Sequence, residues 1–522
     1  MGPAGPERGS ESRSRCLQVP ESAVTIAGAG TFHTVLPGSR RWIAARRCGF
    51  ALLAMTGALV GCAELPVSTR APYAAAPPSS SAPWVPPAGV TAGRPRTLAT
   101  YETPLDREAV YGLADLIDFG HRTNPETRRA WEEARAAAAQ AARAEAAYYP
   151  TLFAMATGGI SRVADKAPPP TGTFTVEGPG VTPKLQLDWI LLDFGRRHAS
   201  VERGGQELLR ANFAFNRRLQ EVAFAVSRSY FGLDASRARV GAARVTLESA
   251  VSVEEAVAAR RERGLATQPD LLLARQERVR AAYELEDARG AVSDAEAALA
   301  DSLGIPPTAL MRVADLSAVP LPTELPDSVE RTVDRALTRR PDLASRLAAL
   351  RAREADERRA RAEFWPRLLL SGSVGQAVQR YRVGPPTDTF TMNETEYSAF
   401  LNFEWKIFDG FDRENAQREA TSQRKAAEAD LAALELRAIR EVWKAYADVR
   451  TALRKHEYAL ALLTASQEAY ASTLESYRLA GLATVLDLLA AQRDLARARA
   501  TEIQSRADLL TTSAALAFAA GD

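Results

Sequence analysis

The sequence predicts a mostly α-helical chain with a transmembrane β portion, built as a duplicated helix–strand–strand–long helix unit. Three observations carry that expectation. At an offset of 216 residues, Asn124-Pro125 falls on Arg340-Pro341, Tyr149-Pro150 on Trp365-Pro366, and Trp189…Asp193 on Trp405…Asp409. With one inserted residue, Gly264-Leu265-Ala266-Thr267 falls on Gly481-Leu482-Ala483-Thr484, and Asp270-Leu271-Leu272 on Asp487-Leu488-Leu489. Second, the apolar period changes from about 3.6 to about 2 after Pro150 and again after Pro366. Third, Phe194–Gly264 and Phe411–Gly481 contain no proline. A period this long marks duplication of a large unit, not a solenoid array.

Residues 1–61 read as a signal peptide preceded by an extension with no evident role, for which Val35 is an alternative start. Arg40, Arg41, Arg46 and Arg47 flank an apolar run that ends at Leu59-Val60-Gly61-Cys62. That run is shorter than the ~20 residues a spanning helix needs. The small residues before Cys62 resemble a lipobox, with Cys62 as the lipid attachment point; an ordinary secretory signal is the alternative. Ala63 in place of aspartate resembles outer-membrane sorting. All three cysteines (Cys16, Cys48, Cys62) fall in the first 62 residues, so the mature chain is left without a disulfide or cysteine–metal framework. Seven arginines and three glutamates precede Cys62, so the whole-chain charge of +2 leaves −2 for the remainder. That balance gives no basic face for nucleic acid.

Residues 62–104, rich in Pro, Ala and Ser from Ala71 to Pro95, read as an extended tether. Repeat one is expected over 105–310 and repeat two over 311–522. In each, an Ala-rich helix (Pro125–Tyr148, Pro341–Phe364) is closed by a proline, which disfavours helix in the residue before it. Strands follow over 151–161 and 184–193, and over 367–376 and 397–408. The last is the clearest: Tyr397, Ala399, Leu401, Phe403, Trp405 and Ile407 share one face, and Ser398, Asn402, Glu404 and Lys406 the other, with Phe400 and Phe408 as exceptions. An apolar face opposite a polar one suits a strand between lipid and water, and about 9–11 tilted residues span a bilayer. A soluble hairpin with a one-sided core is the alternative. Trp189 and Trp405 sit at equivalent strand ends, where membrane-interface aromatics belong. The stretches Arg162–Pro183 and Ala377–Glu396 read as exposed loops.

The long helices are expected over 194–263 and 411–480, each on the order of 100 Å at ~1.5 Å per residue. Val222, Val226, Tyr230 and Leu233, and Ile439, Trp443, Tyr446, Val449 and Leu453, are spaced as packing stripes. Gly264 and Gly481 stop these helices, and Thr267 and Thr484 cap the returning helices, Thr267–Leu303 and Thr484–Ala519. Four strands cannot close a barrel, and open edges in lipid leave peptide groups unpaired. Membrane insertion therefore requires an oligomer that shares one barrel.

These residues match a family. Tyr148-Tyr-Pro-Thr-Leu, Phe364-Trp-Pro-Arg-Leu, Trp405-Lys-Ile-Phe-Asp-Gly and Gly481-Leu-Ala-Thr-Val-Leu-Asp-Leu-Leu-Ala-Ala-Gln, in this order on a duplicated unit, resemble the TolC-type outer-membrane efflux proteins, and within them the lipoprotein members. The resemblance covers residues 105–519. It implies a homotrimer in the outer membrane with a shared twelve-stranded barrel and a helical periplasmic tunnel. It implies a passive conduit, with a periplasmic adaptor at the helical tips and an inner-membrane pump of RND, ABC or MFS type as partners, and no cofactor. Carried over, Gly264, Leu265, Ala266 and Thr267, with Gly481, Leu482, Ala483 and Thr484, are the adaptor-docking tips. Asp270 and Asp487 match acidic entrance positions, where a desolvated acidic ring repels itself and favours cations. The chain departs from the pattern at Ala490, where some members carry a second acid, and at Tyr477, one residue early, with Arg478 in the matching place. Arg478 is the candidate partner of Asp270 at this gate. A simple first-turn role in the helix dipole is the other reading of both aspartates.

Catalysis has little support: His121, His198 and His456 are widely spread, and no phosphate loop or nucleophile elbow is present. A soluble coiled-coil adaptor is a rival, but it has no need of two matched strand pairs. Drug export is the first expectation for cargo and type I protein secretion the second.

Overall fold

The computed structural model describes residues 106, 108–166, 173–308, 312–316, 321–325, 328–383, 388–479 and 483–522. All the described residues belong to one compact unit within Arg96–Asp522. Cys62, Gly481 and Leu482 lie outside the described residues.

The duplication holds element by element. Helix α1 (Leu113–Thr123) leads into α2 (Pro125–Glu145), which ends in a 3-10 turn at Ala146–Tyr148. Strands β2 (Thr151–Lys166) and β3 (Thr173–Leu192) follow, then the long helix α3 (Arg196–Glu262) and its return α4 (Gln268–Leu303). The second copy runs α5 (Val329–Arg339), α6 (Pro341–Ala362), β5 (Arg367–Val383), β6 (Asp388–Glu404), α7 (Asp412–Leu479) and α8 (Val485–Ala520). Helices α1 and α5, short and outside the sequence expectation, share the 216-residue offset. So do the starts of α2 and α6, β2 and β5, and α3 and α7, while β3 and β6 are offset by 215 and α4 and α8 by 217. A two-residue parallel pair, β1 (Val110–Tyr111) with β4 (Arg312–Val313), ties the beginnings of the two copies together.

Local chemistry sets these boundaries. Pro125 and Pro341 occupy the first helical turn, where a missing N–H costs nothing. Asn124 accepts from the Glu126 amide at 2.8 Å to cap α2. The strand-to-helix turns place two successive residues at positive φ: Phe194 (50°) and Gly195 (94°) in one copy, Gly410 (70°) and Phe411 (70°) in the other. Each copy thus meets this turn with one glycine and one phenylalanine in opposite order.

The helices form one layer. Near the strands, α2 and α6 flank the first part of α3, and α6 also packs on α7; farther on, α4 and α8 flank α3, and α8 pairs with α7. The predicted stripe Val222, Val226, Tyr230 and Leu233 is buried at the centre of the largest core cluster, with Leu116, Leu299 and Leu303. On the second long helix Val449 of the expected stripe is buried and Ile439, Tyr446 and Leu453 pack against the core, and only Trp443 departs from it. Trp443 is half exposed, and the buried line is Ala438, Val442, Ala445, Val449 and Ala452. Helix α7 is an edge helix, packed on fewer neighbours than α3, so a narrower line of small residues covers its contact.

The four main strands form one antiparallel sheet in the order β2-β3-β5-β6. They are longer than expected. The stretches assigned to loops, Arg162–Pro183 and Ala377–Glu396, are largely the outer arms of two hairpins, because Thr- and Gly-rich arms lack the apolar alternation that marks a strand. The last strand is also shifted: it ends at Glu404, so Trp405, Ile407 and Phe408, expected within it, follow its end. The long helices start at Arg196 and Asp412, one to two residues later than expected, because the two left-handed turn residues precede them.

Candidate functional site

The sheet is built to separate lipid from water. Register places Leu152, Leu187, Gly372 and Ala399 in one row across the four strands, and Ala154, Leu185, Val374 and Tyr397 in the next. Many large members of this face are exposed: Leu152 is 67% accessible, Tyr397 85% and Leu401 62%. Such a patch has no counterpart on ordinary soluble surfaces. The opposite face is polar and knitted by side-chain bonds. Gln186 Nε2 donates to Asp188 Oδ2 at 2.9 Å, Asn402 Nδ2 to Ser371 Oγ at 2.7 Å, and Gln379 Nε2 to Ser161 Oγ at 2.7 Å. Ser373 and Ser398 bond at 2.9 Å, and Arg367 Nε donates to Glu404 at 2.8 Å. Strands β2 and β6 are the free edges. With an apolar face outward, those edges need partners of their own kind.

Aromatic residues crowd the junction between sheet and helices. Trp189 Nε1 donates to the Tyr148 carbonyl at 2.9 Å and Trp405 Nε1 to the Phe364 carbonyl at 3.1 Å, equivalent bonds in the two copies. Phe194 stacks on Trp365 at 5.5 Å. Tyr149, Trp365, Ile407, Phe408 and Phe411 are all exposed beside them.

At the far end, the two helical turns form one structure. Val253, Val257 and Ala274 of the first copy pack with Tyr477, Val485, Leu488 and Leu489 of the second, with Ala266 and Ala483 alongside. Gly264 sits at φ 73°, the left-handed stop the sequence calls for, and Leu265 next to it is exposed. Thr267 and Asp270 form a capping box: the Thr267 amide and hydroxyl both donate to Asp270 Oδ2, at 2.8 and 2.7 Å. Thr484 and Asp487 repeat it at 2.9 and 2.7 Å. In return each threonine hydroxyl accepts from the aspartate amide. The backbone and hydroxyl bonds from Thr267 hold the Asp270 carboxyl below its usual range, and the Thr484 hydroxyl and amide do the same for Asp487.

The pairing of Arg478 with Asp270 is corrected. Arg478 is exposed, and no ion pair joins the two among the described residues. Asp270 Oδ2 is occupied by its own cap, and the inter-helix tie is made elsewhere. Arg260 of α3 lies over the Tyr477 ring at 4.4 Å and donates to the Tyr477 carbonyl at 2.5 Å. Tyr477 is 3% exposed, and its hydroxyl is buried without a partner among the described residues. Arg260 carries no sequence signal, since it meets Tyr477 only through the crossing of two helices.

A second charged cluster fixes the C-terminal end of α8. Arg340, 3% exposed, pairs with Asp342 at 2.7 Å and Glu441 at 2.8 Å. Arg217 lies over the Phe518 ring at 3.8 Å, and Gln220 donates to the Gly521 carbonyl at 2.8 Å. Burial works against an ionised Asp342, but the Arg340 guanidinium outweighs it and keeps that carboxyl low. The sequence hint was Arg340 standing where the first copy has the capping Asn124.

Among the described residues no helix is long and apolar enough to cross a membrane. The family profile described as outer membrane efflux protein matches residues 121–305 and 332–522, one segment in each repeat. Protein CyaE of Bordetella pertussis is 31% identical over 427 residues, covering 80% of this chain and 86% of that protein. Outer membrane protein OprJ of Pseudomonas aeruginosa is 30% identical over 390 residues, covering 73% and 78%. The fold is also that of the outer-membrane channel OprN, with a TM-score of 0.68, 22% identity and coverage of 84% of this chain and 98% of that one. Proteins of this kind are channels rather than enzymes; they form trimers in the outer membrane with a helical tunnel in the periplasm, and work with a periplasmic adaptor and an inner-membrane pump. The chain belongs to the outer membrane efflux protein family, as an outer-membrane channel.

Proposed function

We propose that three copies join through their sheet edges into one barrel that exports small molecules, drugs among them, handed on by an inner-membrane pump. The observation that carries this reading is the free-edged sheet, apolar on one face and hydrogen-bonded on the other, set on paired helices of 67 and 68 residues. The conduit is passive, and the pump supplies the energy. Trp189 and Trp405 anchor the junction at the periplasmic face of the outer membrane, where an indole is held by its N–H while its ring rests in lipid. Cys62 carries the lipid that tethers the N-terminus to the same membrane.

The tips at 264–267 and 481–484 receive the adaptor, and Asp270 and Asp487, with Arg478 beside them, surround the entrance. Each aspartate gives Oδ2 to its cap, leaving Oδ1 to contribute to an acidic ring. An RND-type proton-driven pump is the proposed source of cargo. Deleting the gene in its own host and measuring accumulation of a fluorescent cationic dye tests the proposal. Accumulation should rise several-fold and return to normal with the gene restored. Unchanged dye levels together with retention of a secreted protein would replace this reading with protein secretion through an ABC-type partner.

A further inference from the structure

Resting on the shared-barrel reading, the outward face of the sheet also shows which lipid it meets at the far side of the membrane. On β5 that face carries Leu370, Val374 and Val378, and the next two positions of the same alternation are Arg380 and Arg382. Register extends the basic zone across the sheet. Arg162, Glu177, Arg382 and Thr389 form one row, and Arg380, opposite Thr391, stands one row closer to the helices. Arg162, with its side chain 71% exposed, pairs with Glu177 at 3.5 Å. Arg380 is exposed and makes no ion pair among the described residues. Three guanidinium groups against one carboxylate leave an excess of two positive charges per copy in these rows.

Depth assigns these residues to the outer leaflet. Trp189 lies opposite Leu370, and ten residues of β5 separate that row from Arg380. At ~3.4 Å per residue and a tilt of ~40°, ten residues rise about 26 Å, which matches the ~25 Å apolar band of an outer-membrane barrel. The helices and the tryptophans mark the periplasmic side, so Arg380 stands where acyl chains give way to headgroups on the opposite side. Ile160, 80% exposed, is the last large apolar residue of this face on β2 before Arg162.

Charge is also sorted by face. The acidic residues of β6, Glu394, Glu396 and Glu404, hold the alternate positions, opposite Ala377, Gly375 and Arg367 on the polar side. An arginine needed only for solubility would serve equally on that side. Placed outward at the acyl boundary, it meets a plane of lipid phosphates. We propose that Arg162, Arg380 and Arg382 bind the phosphates of lipid A, the bisphosphorylated glycolipid of the outer leaflet. A guanidinium offers a planar pair of N–H donors that phosphate oxygens accept together. Strands β2 and β5 are two steps apart in the sheet, about 10 Å at ~4.8 Å per step, so one headgroup can be shared by arginines of both. Glu177, between them on β3, weakens the attraction.

Native mass spectrometry of the detergent-purified trimer, incubated with bisphosphorylated lipid A, tests the site. The unmodified protein should retain at least fivefold more lipid A than Arg380→Gln with Arg382→Gln, compared at equal amounts of trimer. Glu177→Gln should raise retention at least twofold, a gain that damage to the fold does not produce. Lipid A with one phosphate should be retained at least threefold less than the bisphosphorylated form. Equal retention by the unmodified protein and the glutamine pair, no gain in Glu177→Gln, or phosphatidylglycerol held as well as lipid A overturns the assignment. A monomer in the unmodified protein is the distinct result that removes the shared-barrel reading itself.

Discussion

Asp270 and Asp487 are the residues on which cap and gate meet. Their carboxylates complete capping boxes, and those bonds lower their pKa. A value lower in the folded state than in the unfolded one contributes stability that is present above the ordinary 3.8 and is lost as pH falls through the folded value. Protection of the tip amides, measured against their intrinsic exchange rates, should therefore fall below about pH 4. The same residues separate two explanations of entrance closure. Asp270→Asn with Asp487→Asn retains an acceptor for each cap but removes the charge, whereas the double alanine variant removes both. If the acidic ring gates the tunnel, both pairs should sensitise cells to a large antibiotic. If closure depends on the caps alone, only the alanine pair should do so, and the gate assignment falls. The caps were legible because Thr-x-x-Asp before an apolar run is a local signal. The tie between Arg260 and Tyr477 was not, because its two residues come from helices that meet only after folding.

At the scale of elements, small residues allow the long helices to lie close. A Cβ on Gly204 of α3 would sit 3.2 Å from Ala141 Cα and 3.3 Å from Ala144 Cβ of α2. Gly204→Leu should force these helices apart and cost about 1–3 kcal/mol, read from the urea midpoint of the detergent-solubilised protein. A midpoint unchanged from the natural protein would show that α2 yields without cost. The long helices, their turns and their returns follow from proline-free periodicity and Gly/Thr punctuation. The outer strand arms did not stand out, because polar side chains there take their conformation from ladder bonds to the adjacent strand. Helices α1 and α5, 11 residues each, were too short to register against the polar residues around them, though their burial against α3 and α7 is clear in three dimensions.

For the whole molecule, two attachments to the membrane are proposed, the shared barrel and the lipid at Cys62, and they are separable. Cys62→Ser should abolish palmitate labelling while the trimer remains in the outer-membrane fraction, because the barrel is held by its own apolar surface. Loss of the protein from that fraction would make the lipid the principal anchor, and persistent labelling would remove the assignment of Cys62.

By itself the sequence determined the duplication, the alternation of helix and strand, and the positions of the tight turns, because each depends on residues adjacent along the chain or on repetition. The tertiary structure alone decided that the sheet runs β2-β3-β5-β6, leaving those two edges open, and that Asp270 bonds to its own threonine instead of Arg478. The physical reason is the reach of the interactions: caps and periodicity act over a few residues, while strand order and ion pairing are settled by groups that packing brings together from distant parts of the chain.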